Sequence, residues 1–118
     1  MNLEQELQKY KDMGFDELQI KQIRLGFINL LLQKEIDIYA KLEFDSYQMR
    51  QIRRGLQDGL DVSVYAKPEF NNCQMKQIRC GLTSNLDISL YLNPEISWDE
   101  MERIFNYLLA RKDAGLDG

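Results

Sequence analysis

One helix-start pattern recurs four times along the chain and constrains its fold more than any bulk property. An apolar residue precedes a capping residue, two variable positions follow, and then come Gln or Glu and Ile or Met. The copies are Phe15-Asp16-Glu17-Leu18-Gln19-Ile20, Phe44-Asp45-Ser46-Tyr47-Gln48-Met49, Phe70-Asn71-Asn72-Cys73-Gln74-Met75 and Ile96-Ser97-Trp98-Asp99-Glu100-Met101. Each reads as a capping box joined to a hydrophobic staple. The side chain of Asp16, Asp45, Asn71 or Ser97 accepts an otherwise orphaned helix N–H. The Gln or Glu three residues on reaches back to the cap. Four matches in one register make an internal repeat, which fixes architecture before any other consideration.

Copies two and three align without a gap. Gln48-Met49-Arg50-Gln51-Ile52-Arg53-Arg54-Gly55-Leu56 matches Gln74-Met75-Lys76-Gln77-Ile78-Arg79-Cys80-Gly81-Leu82, and Leu60-Asp61-Val62-Ser63-Val64-Tyr65 matches Leu86-Asp87-Ile88-Ser89-Leu90-Tyr91. Each copy reads as a long helix and a short one. In copy two the long helix covers about 46–58, with Met49, Ile52, Leu56 and Tyr47 on its apolar face. Gly59 and Asn85 stand where a left-handed residue ends such a helix. Asp61 caps the short helix and Pro68 stops it. Copy one is longer, and Ile28-Asn29-Leu30-Leu31-Leu32-Gln33 reads as an extension of its long helix. Leu3, Leu7 and Tyr10 mark an extra helix before it. The chain is therefore expected to be all-α: a short solenoid of four helix-pair repeats with an N-terminal cap helix. As a single domain 1–118 it divides into a cap 1–14, repeats 15–43, 44–69 and 70–95, and an incomplete repeat 96–118.

Glycine interrupts three long helices in register, at Gly26, Gly55 and Gly81. Each costs about 1 kcal/mol against Ala. A loss taken three times implies that another element approaches the helix there, leaving no room for a Cβ. Tyr39, Tyr65 and Tyr91 recur on the short helices and read as a half-buried ladder.

Several function classes fall away. No run of 18 apolar residues exists to span a membrane, and Met1-Asn2-Leu3-Glu4-Gln5-Glu6 resembles no leader peptide, so a cytoplasmic protein is expected. Cys73 and Cys80, seven apart on one helix, sit roughly 10 Å apart along its axis, too far for a disulfide. With no His and two Cys, no metal site is expected. There is no histidine base and no glycine-rich phosphate loop, and the two thiols lack an evident base. No catalytic residue and no cofactor are assigned.

Charge is uneven. Residues 1–47 carry net −3, residues 48–81 net +3 and residues 82–118 net −4. The triplet Gln-Ile-Arg recurs at 22–24, 51–53 and 77–79, so Arg24, Arg53 and Arg79 should form a row. The favoured reading pairs each with an acid: Asp37, Asp61 and Asp87, or Glu43, Glu69 and Glu95. The alternative is a basic stripe with Arg50, Arg54 and Lys76 alongside, meeting phosphate or an acidic protein surface. Trp98 stands where the other copies have Glu17, Ser46 and Asn72, so it is a candidate hot spot. The candidate partner-binding residues are thus Arg24, Arg50, Arg53, Arg54, Lys76, Arg79 and Trp98.

The string Gln-Met-x-Gln-Ile-Arg-x-Gly-Leu-x-x-x-Leu-Asp-Val/Ile-Ser-x-Tyr-x-x-Pro-Glu resembles repeats of uncharacterised helical-repeat proteins from Gram-positive gut bacteria and their mobile elements, over about residues 15–108. The resemblance implies a helical array from a mobile genetic element and carries no functional residues with it. The expected function is a non-enzymatic protein-interaction module. One alternative is an anti-CRISPR-type inhibitor of a host defence nuclease, its acidic surface mimicking phosphate. Another is direct nucleic-acid binding through the basic middle. A protein partner is favoured over nucleic acid, and the oligomeric state is left open.

Overall fold

A computed structural model describes residues 2–116; Met1, and Asp117 and Gly118 at the end of the expected repeat 96–118, lie outside the described residues. Among the described residues there are six α-helices and no strand. They are α1 (Leu3–Asp12), α2 (Glu17–Ile28), α3 (Gln33–Tyr39), α4 (Ser46–Gln57), α5 (Asn72–Thr83) and α6 (Trp98–Asp113). Single 3-10 turns lie at Val62–Val64 and Ile88–Leu90.

The helices begin where the capping residues stand. Asp16, Asp45 and Asn71 accept the backbone N–H of Gln19, Gln48 and Gln74 at 2.8 Å, and those glutamines accept the caps' own N–H at 2.9 Å. Asn2 and Gln5 make the same reciprocal box ahead of α1. The fourth copy is one-sided. Ser97 accepts from Glu100 N–H at 3.4 Å, while the Glu100 side chain binds Arg103 instead of returning to the cap. The staple residues Phe15, Ile20, Phe44, Met49, Phe70, Met75 and Met101 are buried.

Five helix ends share one construction. A left-handed residue, Gly14, Leu30, Gly59, Asn85 or Gly115, is followed by an apolar residue whose N–H reaches back five positions. These bonds are Phe15 to Tyr10, Leu31 to Gly26, Leu60 to Gly55, Leu86 to Gly81 and Leu116 to Arg111. This is the Schellman ending. Leu30, at φ 64° and 86% exposed, is its least comfortable member.

Three expectations need correcting. The second member of copies two and three is one 3-10 turn and not a helix, because Asp61 and Asp87 close a tight turn onto Ser63 and Ser89. These serine hydroxyls hold the Asp61 and Asp87 carboxyls below the usual carboxylate range. In copy one, α2 does not extend. Leu30 ends it at the same twelve residues as α4 and α5, and the additional residues make α3 a true helix. Tyr47 lies outside the apolar face, 60% exposed.

Consecutive long helices pack side by side, α2 on α4, α4 on α5 and α5 on α6, with α1 covering α2 and α3 lying against both α2 and α4. The 3-10 turns pack on α4 and α5. The assembly measures 52 × 26 × 17 Å. Its core is one continuous cluster in which Ile23, Ile52 and Ile78 of the long helices meet Ile36, Val62 and Ile88 of the second elements.

Candidate functional site

Gln22 and Gln51 organise the contacts between long helices. On a helix the glutamine of each Gln-Ile-Arg triplet and its arginine lie on opposite flanks, so each glutamine faces the next long helix and each arginine faces the preceding one. Arg53 Nε donates to Gln22 Oε1 and Arg79 Nε to Gln51 Oε1, both at 3.0 Å. Arg53 also donates to Gln57. Both arginines are buried. Burial pushes the Arg53 guanidinium down from its ordinary value, and the nearby Arg50 and Arg54 add to this.

The predicted acid partners are therefore wrong: among the described residues neither Arg53 nor Arg79 has a carboxylate within salt-bridge reach. Neutral amide oxygens stand in place of acids, two at Arg53 and one at Arg79, and no buried polar side-chain atom among the described residues lacks a partner. Arg24, on the flank of α2 that faces α1, bridges to Glu4 at 3.1 Å, with about a third of its side chain exposed. The row splits accordingly. Arg53 and Arg79 are used internally; Arg24 is half-committed.

The backbone carbonyl of the same glutamine takes a second load. Tyr39, Tyr65 and Tyr91 donate their hydroxyls to the carbonyls of Gln22, Gln51 and Gln77, at 2.8, 2.6 and 3.0 Å. Four residues on stand Gly26, Gly55 and Gly81, and a Cβ at any of them would overlap that hydroxyl. The glycines thus make room for a tyrosine to reach the helix backbone. The tyrosines are wholly buried, not half-buried, and burial pushes their phenols well above the ordinary value.

A third set of contacts joins each helix start to the chain ahead of a later helix. Gln19, Gln48 and Gln74 donate Nε2 to the carbonyls of Phe44, Phe70 and Ile96, the residues just before the next caps, at 2.8, 2.7 and 2.7 Å.

These internal contacts leave one face of the long helices free. Lys21, Arg50 and Lys76 occupy equivalent positions on α2, α4 and α5 and are exposed, as is Arg54. Among the described residues none of the four has a carboxylate within 4.0 Å. α4 and α5 contain Arg50, Arg53, Arg54, Lys76 and Arg79 and no acidic residue at all. On α4, Tyr47, Arg50 and Arg54 follow at spacings of three and four and so share one exposed side. A groove between α2 and α4 is lined by Leu18, Lys21, Gln22, Ser46, Tyr47 and Arg50. A larger one between α1 and α2 includes Lys11, Lys21, Arg24 and one acid, Glu17, over Phe15 and Ile20. Lys21 belongs to both. Sequence reasoning missed Lys21 and Lys11, although Lys21 stands in register with Arg50 and Lys76.

Trp98 is 45% exposed on the first turn of α6, away from these grooves. Beside it, Arg103 bridges Asp99 and Glu100, at 3.7 and 2.6 Å. Among the described residues no group of His, Cys, Asp or Glu is arranged to hold a metal ion, and no helix is long and apolar enough to cross a membrane. Comparison of the chain with family models, with curated proteins and with solved structures found no match.

Proposed function

We propose that the protein is a non-enzymatic interaction module, a short solenoid of stacked repeats that docks a protein partner on the outer face of its long helices. The side-by-side packing of α2, α4, α5 and α6 and the recurrence of the same glutamine, arginine and tyrosine contacts support the stacked arrangement. Arrays of this kind present one equivalent side chain per repeat along an extended surface.

The observation that carries the reading is the charge of that surface. The chain has net −4, yet α4 and α5 carry five cations and no acid. The exposed members are not consumed by internal bridges. Free cations on a face beside an exposed tyrosine are what electrostatic docking and hot-spot anchoring need. Affinity capture from the native host, comparing wild type with Lys21→Glu/Arg50→Glu/Lys76→Glu, tests this. These residues are exposed, so the variant should keep its circular dichroism and melting temperature. At least one protein should be retained by the wild type and lost by the variant. Identical captures would refute the reading.

A further inference from the structure

Resting on that reading, we infer that the occupant of this face is a protein segment bearing several carboxylates around one aromatic or aliphatic anchor, seated across α2, α4 and α5 with the anchor in the groove between Leu18 and Tyr47.

Three features specify this chemistry. First, the groove pairs apolar walls with cations: Leu18 and Tyr47 are 57% and 60% exposed, with Lys21 and Arg50 beside them. An apolar anchor removes those walls from water, while flanking carboxylates meet the cations. Secondly, the cations continue in one direction to Arg54 and Lys76 and in the other to Lys11, in a groove where three cations outnumber the one acid, Glu17. A segment longer than the groove is therefore engaged on both sides, not a single small anion. Thirdly, the surroundings disfavour a nucleic-acid backbone. The capping carboxylates Asp16 and Asp45 lie within one turn of Leu18 and Tyr47 and are exposed; they repel any anion, but a peptide can place its carboxylates beside the cations and neutral residues beside these acids, whereas a nucleic-acid backbone carries a phosphate at every step. Tyr47 is the single aromatic in the groove, whereas single-strand binders rely on successive stacking platforms.

Arginine and tyrosine, with tryptophan, are enriched at interface hot spots. Tyr47, Arg50 and Arg54 supply both along one exposed side of α4.

Selection of a displayed random peptide library on the wild-type protein, with counter-selection on Arg50→Glu/Lys76→Glu, tests the inference. Enriched peptides should carry acidic residues flanking Phe, Trp, Tyr, Leu or Ile. In anisotropy titrations of a labelled enriched peptide, Arg50→Glu should weaken binding about tenfold or more, as loss and reversal of a docking charge does. Tyr47→Ser should weaken it several-fold at unchanged melting temperature. Short single-stranded and duplex DNA and RNA oligonucleotides, titrated in parallel, should bind more weakly than the best peptide.

The inference is overturned if no peptide is enriched, if enriched peptides lack acids or survive counter-selection, if Tyr47→Ser has no effect, or if an oligonucleotide binds more tightly. If the charge-reversed variant still loses a host protein in the capture experiment, such a result leaves the interaction-module reading standing with a different partner chemistry. If the captures are also identical, both fall.

Discussion

Replacing Gly55 with Ala adds one methyl group to a place already filled. The new Cβ would overlap the Tyr65 hydroxyl and stand 2.6 Å from Val62 Cγ1 and 3.3 Å from the Tyr65 ring carbon that bears the hydroxyl. Neither neighbour gives way cheaply: Tyr65 is wholly buried, and the methyl of buried Val62 sits on a branched carbon fixed by the 3-10 turn. Moving the ring lengthens or breaks its bond to the Gln51 carbonyl, about 1 kcal/mol, and overpacking adds roughly 1–3 kcal/mol. The gain in helix propensity returns about 1 kcal/mol. The net is a destabilisation of about 2 kcal/mol. At roughly 4 °C per kcal/mol for a domain of this size, the melting temperature should fall by about 8 °C.

Thermal and urea denaturation read this directly, and Tyr65→Phe supplies a control. Removing the hydroxyl relieves the closer of the two overlaps and leaves the one with Val62, so Gly55→Ala should still destabilise but should cost at least 1 kcal/mol less in the Tyr65→Phe background than in the wild type, a coupling well outside simple additivity. A Gly55→Ala protein as stable as the wild type, or strict additivity with Tyr65→Phe, would refute the claim that this glycine exists to admit the tyrosine.

Leu30→Gly should stabilise by roughly 0.5–1 kcal/mol in denaturation, since relief of left-handed strain exceeds the added chain entropy and the exposed leucine packs on little. Arg79→Ala should cost about 2 kcal/mol by leaving the buried Gln51 amide oxygen without its donor, whereas Lys76→Ala on the same helix should change stability by less than about 0.5 kcal/mol; equal effects would contradict the burial of one and the freedom of the other. Gln74→Glu should destabilise by about 1–2 kcal/mol, because a carboxylate then faces the Pro94 and Ile96 carbonyls that the amide now binds at 3.0 and 2.7 Å. Burial raises the phenols of Tyr39, Tyr65 and Tyr91 in the folded protein, so their contribution to stability is complete below the unfolded value near pH 10 and is lost as pH rises above it. In an alkaline titration the phenolate absorbance of these three should appear together with loss of helical circular dichroism.

Local chemistry carried the sequence reading a long way. The capping residues, the staples and the Gly59/Asn85 endings act over a few residues, and the structure has them in place. Leu30 escaped because nothing in leucine announces a left-handed backbone; only its register with Gly59 and Asn85 does. The 3-10 turns escaped because Asp-x-Ser closes a turn as readily as it starts a helix. The arginine row was seen and its partners misassigned. An acid is the usual guess for a buried guanidinium, yet Gln22 and Gln51 were already in the motif, on the flank that faces the next repeat. The mid-helix glycines and the tyrosines were each noticed alone. Their equal recurrence was the sign that they are one device. Lys21 is hard to single out from sequence because copy one is the least regular.

The capping glutamines have a consequence for motion. Where neighbouring helices touch only through apolar faces, the first turn of each helix frays on its own, since few contacts hold it. Here the amide that closes a helix start also grips the chain just before the following one, as Gln48 does with Phe70 and Gln74 with Ile96. Opening one start releases the next chain entry, and straightening an entry pulls on the start behind it. Amide hydrogens in the first turns of α4 and α5 should therefore exchange at rates close to those of the helix centres, and the middle of the molecule should open as one unit instead of repeat by repeat.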